Sequence, residues 1–347
     1  AVLWGSNAAS PPVQTADGSL EGAKDTRSWS PAWRACLLEG VIRNQRGPQG
    51  PALVPPVRLE DGDLTPLGFS LNRPRTDSGL FITHARVEKG TLLGEVLSPD
   101  GSKAEIREAG WKQVTLQGTF RCPTENHPTI TVNTRIADAT QSPSDPGTWH
   151  YSVEIQGPNG GWVPVCSTAR NQAIPVSGIW DAETGEHRES QDTFSFACPN
   201  AVIAKCYRQW YRPWDQEKNA NMPELHAACT RMARADYCGD GESATKDGTL
   251  VDVWDSEGVL NKDTEQRTGE AFEAAWTSKG AVCIDHARWP DLAAGACLSK
   301  IPSCRSEEEA RSMAGGKALV FNASSKSPPA NVAASMRRNV VEEDKSR

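Results

Sequence analysis

The chain has 347 residues, 23% of them charged and 37% hydrophobic, with 29 Gly, 24 Pro and a net charge of −7. That length admits two domains of ordinary size, and that composition fits a loop-rich globular protein better than a disordered one. The acidic balance without a stripe of Lys and Arg excludes a nucleic-acid partner, and no apolar run approaches the roughly 20 residues of a membrane-spanning helix.

Residues 1–27, small, polar and containing "SNAASPPVQTADGS", read as a flexible leader or linker. A first residue Ala1 in place of Met suits a mature chain whose signal peptide has been removed. Residues 28–160 are short apolar runs broken by turn residues: "ACLLEGVI", "LGFSL", "LFITHARV", "TLLGEVL", "KAEIREAG", "KQVTLQGTF", "TITVNTRIA" and "WHYSVEIQ". This punctuation, with alternation in "TITVNTRI" and "HYSVEI", predicts an antiparallel β domain, a sandwich or a small barrel.

From residue 161 the pattern changes. "CPNAVIAKCYRQWY" sets Val202, Ile203, Cys206, Tyr207 and Trp210 on one helical stripe, with Pro199 suited to the first turn. Residues 222–237 repeat the device with Pro223, Leu225, Cys229, Met232 and Ala235, ended by Gly239 and Gly241. "TLVDVWD" reads as a strand and "TGEAFEAAW" as a short helix, so residues 161–304 form a cysteine-rich α+β domain. Residues 305–347 hold one charged helical fragment, "SEEEARSM", and a lone apolar run, "ALVF", and read as a polar tail.

The ten cysteines are Cys36, Cys122, Cys166, Cys198, Cys206, Cys229, Cys238, Cys283, Cys297 and Cys304. None forms a C-x-x-C pair, so zinc ribbons, thioredoxin-type sites and covalent haem lack their spacing. Disulfides are the expectation, and an oxidising compartment follows: secreted, extracellular or cell-surface, with the periplasm as an alternative. Which of about 945 pairings is used stays open. Two helices packed through stripes carrying Cys206 and Cys229 bring those sulfurs within reach of each other.

Three arrangements compete with a purely structural reading. His226 and Cys229 share a helix face, the spacing of a thiol nucleophile and its base. Asp236, Asp240, Glu242 and Asp247 partly follow a calcium loop, although Cys238 stands where a third-position ligand belongs. Tyr207, Trp210, Tyr211 and Trp214, interleaved with Arg208 and Arg212, offer an aromatic platform for a glycan or peptide. Asp285 beside His286 does not imply a base with its orienting carboxylate, because sequence neighbours in a strand point apart. No G-x-S-x-G, H-E-x-x-H, Walker or G-x-G-x-x-G pattern occurs.

Residues 162–290 resemble a bacterial family named for its own motif, the ADYC domain. The likeness rests on "CTRMARADYCGDG" before "GTLVDVWD", with "FSFACPNAVIAKC", "RPW", "FEAAWTSKGAVC" and "HARW" in order around it. It leaves the β domain outside, and it implies an exported bacterial protein without an assigned activity. The expectation is a non-enzymatic structural or adhesive module with no cofactor, calcium being the alternative. It would self-associate or bind a protein through its terminal tails. A hydrolase or transferase using the His226 region and a glycan or peptide binder are the runners-up.

Overall fold

The structure, a computed structural model, describes residues 2–4, 68–75, 81–121, 129–143, 145–156, 160–164, 172–180, 187–188, 194–197, 202–208, 211–246, 249–263, 269–293 and 297–326. Cys36, Cys122, Cys166, Cys198, Trp210 and Asp247 lie outside them, as does the run "ACLLEGVI". The chain divides into two compact units.

Strand β1 (Val2–Trp4), taken from the sequence as part of the leader, belongs to the second unit. The strands described in the first unit pair antiparallel. Its strands are β2 (Gly68–Arg75), β3 (Phe81–Glu88), β4 (Thr91–Leu97), β5 (Lys103–Arg107), β6 (Thr115–Arg121) and β7 (Thr129–Gln141). They continue with β8 (Trp149–Gln156), β9 (Trp162–Pro164), β10 (Gln172–Ser177), β11 (Ile179–Trp180), β12 (His187–Arg188) and β13 (Phe194–Ala197). The order β13-β10-β8-β7-β6-β2 closes on itself where Phe69 pairs with Phe194, so of the two predicted architectures the small barrel forms. From the other end of β2, where Arg75 meets Phe81, the meander β3-β4-β5 extends the sheet.

Alternation fills the barrel: Thr134 and Ile136 of β7 and Tyr151 and Val153 of β8 are buried. A bulge between Ile136 and Asp138 then shifts the phase, so that Ala139 is the next buried residue. Strands β9, β10 and β13 pair into this same sheet, which therefore runs past residue 160.

Helix α1 (Val202–Arg208) enters the second unit at Lys205. It is followed there by α2 (Met222–Arg234), β14 (Thr249–Asp255), β15 (Glu270–Thr277), β16 (Gly280–Ile284), α3 (Glu307–Ala314) and β17 (Val320–Ser325). The sheet order is β1-β14-β17-β15-β16. Two expectations are corrected here. "TGEAFEAAW" is strand β15, not a helix, because Ala274, Ala275 and Trp276 are all buried, and a strand covered on both faces shows no alternation. Residues 307–325, assigned to a polar tail, form α3 and the central strand of the sheet. Ser306 caps α3 by accepting from the Glu309 N–H, and the run "ALVF" supplies the apolar start of β17.

The two faces of this sheet differ in chemistry. Phe321 and Ala323 of β17 face an apolar cluster with Trp254, Ala275, Cys283, Cys304 and the α3 residues Ala310 and Ala314. The opposite face carries the buried polar residues Asn322, Ser324 and Glu273, beneath the end of α2.

Candidate functional site

The site grows from the way α2 stops. Ala235 takes the left-handed backbone conformation at φ 52°, and the chain turns so that Asp236 and Tyr237 both point inward. The Asp236 carboxylate accepts from Arg231 Nη1 at 2.5 Å and from the backbone N–H groups of Asp240 at 3.2 Å and Gly241 at 3.1 Å. Burial pushes this carboxyl above its usual value, against the pull of Arg231, Arg234 and the Gly241 N–H. Arg231 also donates through Nε to the Ser278 carbonyl at 3.0 Å, tying the corner to the turn between β15 and β16. Glu224 near the start of α2 accepts from Ser278 N and Oγ, so both ends of the helix hold one hairpin turn.

That turn meets the corner backbone to backbone. The Ala281 N–H donates to the Tyr237 carbonyl at 3.0 Å, and a Cβ on Gly239 would lie 2.0 Å from the Lys279 carbonyl oxygen. Tyr237 stacks on Trp276 with ring centroids 5.0 Å apart and donates its hydroxyl to Glu273 Oε1 at 2.9 Å. A bulge between Phe272 and Ala274 leaves Glu273 out of register, and its side chain is fully buried. Arg288 binds Glu273 through Nε at 3.0 Å and Nη2 at 3.1 Å, and Nη2 also reaches the Met232 carbonyl at 2.9 Å, capping α2. Burial alone would push the Glu273 carboxyl up. The Arg288 charge, with hydrogen bonds from Arg288, Ser324 and Tyr237, outweighs it and holds Glu273 below the ordinary carboxylate range. Burial, then the Glu273 charge, push the Tyr237 phenol well above its usual value.

Of the predicted residues, Cys229 is bonded to Cys206, which staples α2 to α1. The His226–Cys229 dyad therefore fails: His226 is buried, and a bonded sulfur has no thiolate with which to attack. Cys238 joins Cys297 and Cys283 joins Cys304, with Cα separations of 5.9 and 5.5 Å. Among the described residues no cysteine is free. Of the carboxylates suggested for calcium, Asp236 faces Arg231 inside the corner, while Asp240 and Glu242 are exposed and Asp240 accepts the Glu242 N–H at 3.0 Å. In the aromatic cluster Tyr207 and Tyr211 are buried, and Tyr211 donates to Asp255 at 3.0 Å. Trp214 is half-buried against Tyr207 at an interplanar angle of 52°, so these rings do not form a flat platform.

A fourth arrangement starts from the neighbours Asp285 and His286, for which strand alternation predicts side chains that point apart. His286 Nδ1 lies 3.1 Å from Asp285 Oδ2 and Nε2 lies 3.2 Å from Ser324 Oγ, the order of an acyl-transfer triad. Asp285 and His286 can meet because β16 ends at Ile284 and strand alternation no longer separates them. Yet Ser324 has no exposed surface, and Lys326 Nζ holds the same Asp285 oxygen at 2.6 Å. This is a hydrogen-bonded brace across the sheet, and its hydroxyl is fully buried.

The family model of the ADYC domain matches residues 104–290, just over half of the 347 residues. The chain belongs to the ADYC domain family. The match opens in β5, upstream of Trp162, so the family's shared part takes in barrel strands as well as the stapled unit. Its lettered motif is the inward-turned corner just described, with Ala235 as the turn, Asp236 on Arg231, Tyr237 on Glu273 and Cys238 in a disulfide. Comparison with curated proteins and with solved structures returns no match. Sequence reading placed "HARW" in the ADYC likeness without a role for Arg288 and missed Glu273. A Glu within the apolar run "AFEAAW" was the available signal, since a buried carboxylate needs a partner.

Proposed function

We propose that this ADYC-domain protein is an exported structural or adhesive module of the bacterial surface or extracellular space. The observation that carries this reading is the corner itself: its carboxylates, its phenol and its cysteines are bound to other groups of the same unit. A motif used for catalysis would leave a reactive group facing solvent; this one holds a helix end to a hairpin. The three disulfides among the described residues, of about 2 to 4 kcal/mol each, fit a protein that works in an oxidising compartment. Self-association through the terminal segments is part of the proposal. On the C-terminal side it involves residues after Lys326, because β17 is already the centre of a sheet.

Trapping thiols with an alkylating agent in fractionated cells tests the reading. The protein should be recovered outside the cytoplasm with Cys206, Cys229, Cys238, Cys283, Cys297 and Cys304 unalkylated, and a reduced cytoplasmic pool would sink it. Reactive probes test the non-enzymatic part. A fluorophosphonate should leave Ser324 unmodified and iodoacetamide should leave Cys229 unmodified in the native protein; stoichiometric labelling of either would replace the module with a hydrolase.

A further inference from the structure

We propose that the Cys238–Cys297 bond is a thiol–disulfide exchange site, a latch that a dithiol reductant opens while the other two described disulfides stay closed. The three bonds differ in access. Cys206, Cys229 and Cys283 have 0% exposed surface and Cys304 has 1%, so an incoming thiolate cannot approach their sulfurs without unfolding the unit. Cys238 and Cys297 are both only half-buried. Exchange requires a thiolate to reach one sulfur, and where it can do so the rate follows access.

The chemistry is a two-electron exchange. A thiolate of the reductant attacks one sulfur, forming a mixed disulfide and releasing the other cysteine as thiolate. The reductant's second thiolate then attacks the mixed disulfide, leaving the reductant oxidised to its disulfide and Cys238 and Cys297 reduced, with two protons taken up from solvent as they become thiols.

Opening this bond leaves the rest of the unit tied. The corner stays on its hairpin through Arg231 on Ser278 and Asp236 and through the Ala281–Tyr237 hydrogen bond. The chain from Ile284 to Ser303 stays bracketed by Cys283–Cys304 and by the bridge between those two residues. Within that bracket, Arg288 remains on Glu273 and Trp289 Nε1 remains on Thr249 Oγ1 at 2.9 Å. What the latch controls is the described chain next to it, Cys297 to Ile301, whose covalent tie to the ADYC corner is this bond. The proposal concerns the bond itself and holds whatever the protein's location.

Titration of the native protein with dithiothreitol, followed by iodoacetamide trapping and peptide mapping, tests it. Cys238 and Cys297 should become alkylated together at a reductant concentration at least tenfold below that needed for Cys206, Cys229, Cys283 or Cys304. At that point far-UV circular dichroism should be unchanged while protease cleavage between Cys297 and Ile301 rises several-fold. Earlier opening of either buried bond, simultaneous opening of all three, or an unchanged cleavage rate in the two-thiol form would overturn the proposal. A Cys238→Ser, Cys297→Ser double variant should show the raised cleavage without reductant. Loss of its dichroism signal would make the bond a structural staple and also overturn the latch.

Discussion

Gly239→Ala is expected to destabilise the second unit by about 3 kcal/mol or more, a large effect for the addition of one methyl group. Two costs combine. Gly239 sits at φ +68°, where an alanine gives up about 1 kcal/mol because its Cβ crowds the backbone. That Cβ would also stand 2.0 Å from the Lys279 oxygen and 2.7 Å from its carbon, and both are backbone atoms that cannot rotate away. Either the corner or the hairpin must move. Moving the hairpin gives up the Arg231 bond to Ser278, the Glu224 bonds to Ser278 and the Ala281 bond to Tyr237. Gly258→Ala is the control, since Gly258 has a similar φ of +76° with open space around it, and it should cost only about 1 kcal/mol. Guanidinium unfolding of the two variants decides the matter, and equal costs would show that the corner does not depend on this close approach.

The same corner shows what the sequence could and could not disclose. The antiparallel β domain was readable from the alternation of β8 and of β7 up to its bulge, though not its closure into a barrel, and the Cys206–Cys229 staple was readable because two helical stripes each carried a cysteine. The helical character of "SEEEARSM" was readable as well, since an acidic first turn is a local feature, but its place against the sheet was not. Three things depended on the tertiary structure. Strand β15 has the alanines of a helix, and only burial on both of its faces makes it a strand. Strand β17 is the last of the described strands, and nothing local says that it takes the centre of its sheet. Arg288 is separated by fifteen positions from Glu273 and by fifty-six from Met232, so its double role as counter-ion and helix cap has no local signature. Asp285 and His286 were misjudged for a smaller reason: the rule that neighbours point apart ends where β16 ends, at Ile284.

Arg288→Met is expected to cost about 3 to 5 kcal/mol, because it leaves the fully buried Glu273 charge without its partner. It also removes the donor to the Met232 carbonyl at the end of α2. Pairing it with Glu273→Leu should recover part of that loss, since an apolar pair of similar volume avoids the desolvation of two charges. Recovery stays incomplete, as the Tyr237 hydroxyl then lacks its acceptor. The pair also carries a pH signature. The Glu273 carboxyl is held below its ordinary value of 4.5, so its contribution is present above that pH and is lost as pH falls through the lower folded-state value. Asp236 has the opposite sign: its folded-state pKa lies above the ordinary 3.8, so protonation at acid pH favours the fold and that contribution fades as pH rises through the raised value. Glu273→Gln isolates the Glu273 contribution. The stability gap between wild type and this variant, measured by denaturant titration from neutral pH downward, should narrow once the pH passes below 4.5, whereas a constant gap would mean that the Glu273 charge does not hold α2 to the sheet.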